Sequence, residues 1–185
     1  MQVRVAIAWC CVGLAACAVP PPPDTATLPF AAFGTLDNDV AAANQAAWAF
    51  AAPARTANDP VDAARAAAGI DYLAGELSSN PRWVGVSPLT KQEMLQGRVE
   101  VRRALGIVLT VPSQVVVNAL LRFASAWQGG DQATAMQALA VPGFTLGPDA
   151  MLHVLSNMPY VRSANIASMD AVSQMLPGGE VSRHS

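Results

Sequence analysis

The chain is poor in charge, and poorer still in the residues from which active sites are usually built. Of its 185 residues, 13% are Asp, Glu, Lys or Arg, well below the usual quarter. The net formal charge is −2, too mild to imply nucleic acid or another strongly charged partner. There are two histidines, His153 and His184, so a serine triad or a histidine-built metal site lacks its parts. All three cysteines fall at or before position 17. Beyond that point a disulfide, a thiol nucleophile and a cysteine metal site are excluded. No GxSxG, HExxH, P-loop or dinucleotide fingerprint is present, so no catalytic residue, metal or cofactor is assigned. "GIVLTVPS", from Gly106 to Ser113, is the only β-branched run and reads as a short extended connector.

Alanine is what the chain has in quantity, roughly a fifth of all residues. It inflates the 52% hydrophobic fraction while burying little area per residue, so the figure mainly reports helix propensity. The layout is otherwise simple. Arg4 precedes an apolar run from Val5 to Ala16, the order of a basic n-region and an h-region. That run is too short for a comfortable span of about 20 residues. Charges or prolines interrupt every later apolar stretch.

The run ends in Leu14-Ala15-Ala16-Cys17, which resembles the lipobox of bacterial lipoproteins: a branched aliphatic, two small residues, then cysteine. Cys10 and Cys11 do not compete, because Trp9 would occupy a small-residue position in either alternative. The resemblance implies cleavage before Cys17, a diacylglyceryl group on its thiol and often a further acyl chain, such as palmitate, on its amino group. Several acyl chains anchor stably where one would not. Ala18 rather than Asp follows the cysteine, which in that family implies passage to the outer membrane. Residues 1–16 are thus expected to be a signal peptide. Residues 17–36, with Pro20 to Pro23, should form a linker holding the domain off the lipid. A helical domain at 37–176 and a disordered tail at 177–185 complete the chain.

Helix punctuation is good within that domain. Segments are expected from about Asp37 to Ala52, Asp59 to Ser78, Thr90 to Leu105, Pro112 to Gln128, Asp131 to Ala140, Gly147 to Asn157 and Ala164 to Leu176. Asp59 can cap with Pro60 in the first position, and Thr90 and Glu93 have capping-box spacing. The fourth segment stacks Val116, Leu120, Phe123 and Trp127 on one side, with Gln114, Asn118, Arg122 and Ser125 on the other. It is expected to be the most buried helix. The fold class is all-α, a compact bundle or array of about six to seven helices. "ASAWQGGDQATAMQAL", Ala124 to Leu139, resembles the turn of a tetratricopeptide hairpin, but only one copy is present.

Candidate sites are few. His153, Asp149 and Asn157 share a helix face at four-residue spacing, and no third ligand is at hand; a solvated face is the expectation. Asp71 sits among Ala64, Ala67, Ala74 and Gly75, on the side of its helix opposite Asp62. It is expected to be an ordinary surface acid; only close packing of that small-residue face would bury it, and it would then need an arginine or backbone partner. Lys91, Arg98 and Arg102 line one edge of the third helix and could meet anionic head groups or peptidoglycan carboxylates. Trp83, between proline-bounded turns, is either an anchor for a partner or a plug between helices. Met151, Met158, Met169 and Met175 are expected to fill core.

Together these features lead to a non-enzymatic, lipid-anchored, periplasm-facing helical binding or scaffold protein of the bacterial envelope. Its expected partners are the membrane through Cys17 and an envelope protein or peptidoglycan. A carrier of a small apolar ligand would need an internal pocket. An enzyme would need Asp71, Glu76 or Glu93 to meet a second carboxylate in a cleft.

Overall fold

A computed structural model describes residues 24–30, 32–35 and 37–176. The signal segment, Cys17, the prolines, the C-terminal tail and His184 lie outside the described residues.

Among the described residues seven helices follow in order: α1 Asn38–Phe50, α2 Pro60–Ser79, α3 Pro88–Ala104, α4 Ser113–Gln128, α5 Gln132–Leu139, α6 Pro148–Ser156 and α7 Arg162–Met175. Short 3-10 turns occupy Pro53–Arg55 and Pro81–Trp83. The fold is all-α. Five of the seven starts, those of α1, α2, α3, α5 and α6, have a local cause. The side chains of Asp37, Asp59, Ser87 and Asp131 accept the orphan backbone N–H groups of Val40, Asp62, Thr90 and Thr134, while Pro60, Pro88 and Pro148 occupy first positions that need no N–H. The α3 cap is Ser87, so Thr90 is not the expected cap. It lies inside the first turn and is 1% exposed.

The centre of the molecule is α2, not the expected α4. Fourteen of the 20 residues of α2 are buried, against seven of the 16 in α4. Helix α2 packs against α1, α3, α4 and α6. Its alanines and glycines bring the neighbouring backbones close, and closeness rather than side-chain bulk makes it central. Helix α4 keeps the expected stripe: Val116, Leu120 and Phe123 are buried. Trp127 is only partly so, its ring tilted against Phe123 at 5.6 Å between centroids.

Helices α4 and α5 form the expected hairpin. Gly130, at φ +80°, ends α4 in a left-handed conformation that favours glycine, and Asp131 starts α5. The connector after α3 is a turn rather than an extended strand. It makes one antiparallel bridge, Ile107 to Phe144, flanked by Val108 N–H donating to Gly143 O at 2.9 Å and Thr145 N–H to Gly106 O at 2.8 Å. The loops α3–α4 and α5–α6 are thereby joined at one end of the bundle.

The chain before α1 also differs from a free linker. From Asp24 onward it lies on the domain as a strap. Ala26 is 7% exposed, and the Thr27 N–H and hydroxyl both donate to Gln114 Oε1, at 2.8 and 3.0 Å. Gly75 makes this possible: a Cβ there would sit 2.5 Å from the Asp24 carbonyl oxygen and 2.9 Å from Thr25 Cα.

Candidate functional site

Asp71 and Arg102 meet in the interior, 2% exposed each. Arg102 Nε donates to Asp71 Oδ2 at 2.6 Å and Nη2 donates to Oδ1 at 2.7 Å. This is the planar two-point pairing that guanidinium and carboxylate geometry favours. The remaining donors are used as well. Nη1 reaches the carbonyls of Leu109 at 3.0 Å and Val111 at 2.7 Å, and Nη2 reaches Ser113 Oγ at 2.9 Å. Burial disfavours the charge on Arg102, and the hydrogen bonds and charges of Asp71 and Asp24 outweigh that, so its pKa rises.

Asp24 closes the cluster. Ser113 N–H donates to its Oδ1 and Ser113 Oγ–H to its Oδ2, both at 2.9 Å. Arg102 Nη2 lies 3.5 Å away and Arg98 Nη1 3.6 Å; Arg98 also donates to the Asp24 backbone carbonyl at 3.1 Å. Pro112 gives α4 no side-chain cap, so the strap carboxylate from 89 residues away satisfies its first N–H and meets the positive end of its dipole.

The basic edge expected on α3 is therefore not a surface ridge. Arg102 is buried, and Arg98 turns inward with its side chain 16% exposed. Lys91 alone keeps partial exposure without an ion pair among the described residues. Close packing against α3 and the strap leaves Asp71 no solvent, and Arg102 is the cation that burial demands.

A second cluster lines an open polar cleft between α1, α2 and the Pro81–Trp83 turn. Asp39, 7% exposed, accepts the Tyr72 hydroxyl at 2.5 Å, Trp83 Nε1–H at 3.0 Å and Arg82 Nη1 at 3.2 Å. Arg82 also binds Asp37 at 2.5 Å and lies 4.3 Å above the Trp83 ring. Trp83 is 6% exposed, a plug rather than an exposed anchor. Burial, then the hydrogen bond and charge of Asp39, raises the Tyr72 pKa, so the phenol stays a donor. The Arg82 hydrogen bond holds the Asp37 carboxyl below the usual range, while burial pushes Glu76 up against the opposing bond from Asn80. Leu28 from the strap and Asn38 complete the lining.

The other candidates stay apart. His153 and Asp149 are exposed, and the Asn157 amide bonds the His153 carbonyl rather than its ring. Among the described residues no three His, Cys, Asp or Glu side chains gather as a metal set. Met151, Met158 and Met175 are buried, and Met169 is 55% exposed. Asp24, Asp39, Tyr72, Arg82 and Ser113 were not anticipated. The tight spacing of Asp37 and Asp39, and an Arg-Trp pair between two prolines, were the only traces of the cleft. No family model, curated protein or solved structure matches the chain.

Proposed function

We propose that this chain is a lipid-anchored, periplasm-facing, non-enzymatic binding or scaffold protein of a bacterial envelope, acylated on Cys17 and sorted to the outer membrane. Leu14-Ala15-Ala16-Cys17 carries the reading. The docked strap supports it: the chain enters the fold at Asp24, seven residues after the cysteine, and is fastened there by a charged network suited to a tether's attachment. The polar cleft is the surface we assign to an envelope partner. Arg82 and Asp37 stand half-exposed at its rim, and Tyr72 and Asp39 hold its floor.

A carrier of apolar ligands finds less support. The void beside Phe50, Ala63 and Met158 measures about 10 Å³, at the lower limit for a single water. Of the acids that an enzyme reading would use, Asp71 shares Arg102 with Asp24, and Glu93 faces Asp170 across α3 and α7.

Intact mass of the full-length chain, extracted gently from its own envelope, tests the anchor. A chain starting at Cys17 with added acyl mass is expected, and an unmodified chain starting elsewhere refutes the proposal. Crosslinking in that envelope should capture a protein or peptidoglycan fragment through the cleft, and Arg82→Ala should abolish the capture without unfolding the domain.

A further inference from the structure

The two bridged loops that meet at one end of the bundle carry no charged side chain, and the charges beside them are those of Asp24 and its arginines. No Asp, Glu, Lys or Arg occurs between Arg103 and Arg122, nor between Asp131 and Asp149. The structure brings these two segments together through the Ile107–Phe144 bridge. Four aliphatic side chains remain open to solvent there: Val108 at 41%, Leu109 at 44%, Val115 at 37% and Leu146 at 42%. Beside them runs a largely apolar groove between Pro112 and Pro142.

The tether enters at this same end. Asp24 bonds Ser113, two residues before Val115, and Arg102 joins the Asp24 carboxylate to the carbonyls of Leu109 and Val111. Whatever path they take, the seven residues back to Cys17 reach at most about 25 Å. An acylated Cys17 therefore keeps this end of the domain within about 25 Å of the lipid.

We infer that the uncharged α3–α4 and α5–α6 loops seat on the bilayer surface to which Cys17 is anchored. The inference rests on the lipoprotein reading. Four half-exposed aliphatics make a weak contact by themselves. The tether supplies it with a high effective concentration of lipid, and the side chains enter the head-group boundary, a layer about 5–10 Å deep. Arg103, exposed in the last turn of α3, can meet an anionic head group at the margin.

The test uses the full chain, produced with its signal segment in a Gram-negative host. Cleavage and acylation would leave no free thiol, so one introduced cysteine takes a fluorescent label uniquely. Leu109→Cys reports on the proposed face. Met169→Cys reports from the exposed side of α7, away from the proposed face, on the helix that runs along α3 to the Gln174–Ser87 bond. Labelled protein is placed in phosphatidylethanolamine–phosphatidylglycerol vesicles whose acyl chains carry bromine as quencher. Quenching at Leu109 should be several-fold greater than at Met169. Val115→Cys repeats the measurement from α4, and unchanged thermal unfolding of each variant shows that the fold survives. Equal quenching at both positions, on protein whose mass shows acylation, overturns this inference and leaves the lipoprotein reading intact. A mass without acyl chains overturns both. Crosslinks between Leu109 positions on separate copies would assign the face to a dimer and overturn the bilayer contact.

Discussion

Arg102 and Asp71 pair through two parallel hydrogen bonds in the interior, between α3 and α2, and the same guanidinium fixes the backbone of the next loop at Leu109 and Val111. One buried cation thus ties together two helices, a loop and, through Ser113 and Asp24, the strap that precedes α1.

Removing one partner leaves the other charged and buried, which typically costs about 3–5 kcal/mol. Asp71→Asn and Arg102→Met should each destabilise on that scale. Arg102→Met should cost more, because it also orphans two carbonyls and loosens Asp24. Urea denaturation of both singles and the double variant gives the coupling. A double variant no worse than the poorer single is expected, whereas strict additivity would mean that the two side chains do not pair.

Gly75→Ala separates strap docking from helix propensity. In an open helix the change would stabilise by up to about 1 kcal/mol. Here the new methyl meets the Asp24 carbonyl and Thr25 Cα, an overpacking that costs roughly 1–3 kcal/mol. Lower stability, with faster proteolysis around Thr25 to Leu28, is the expected result. A stabilised variant with an unchanged cleavage pattern would show that the strap does not cross Gly75.

Phe123 and Trp127 share a helix face and differ in burial. Phe123 is 0% exposed, and Phe123→Ala should cost about 3–5 kcal/mol. Trp127 is partly exposed at the end of α4, so Trp127→Ala should cost clearly less. Equal losses in chemical denaturation would place both rings in the core.

These contrasts mark how far the sequence could be read. Helix number, most boundaries and the α4 stripe follow from proline, glycine and cap residues, and from bulky side chains at helical spacing. The centrality of α2 was hidden because alanine signals no direction: a wet alanine face and one packed against other helices look alike. The burial of Asp71 is illegible for the same reason. Its arginine lies 31 residues away and the strap carboxylate 78 residues from that arginine, and no local pattern relates them. The cleft was missed because Asp39, Tyr72 and Arg82 come from three elements whose contacts are purely tertiary.

Glu93 offers a test in pH. On α3 it faces Asp170 of α7, and its Oε2 is enclosed with no hydrogen-bond partner among the described residues. Burial first, then the charge of Asp170, raises the Glu93 pKa. The folded chain therefore keeps this proton to higher pH than the unfolded chain, where glutamate titrates near about 4.3. Its contribution favours folding fully below that value and is lost as pH rises through the raised one. Asp37 and Glu100 act in the opposite sense: hydrogen bonds from Arg82 and from Ser163 lower their pKa values, so their contributions are lost as pH falls. Glu93→Gln removes only the first effect. It should stabilise the domain at pH 7 by roughly 0.2–1 kcal/mol, the scale of an exposed charge pair, and the gain should vanish toward pH 4. Thermal unfolding of both proteins across that range measures the difference, and a gain independent of pH would mean that Glu93 does not titrate against Asp170.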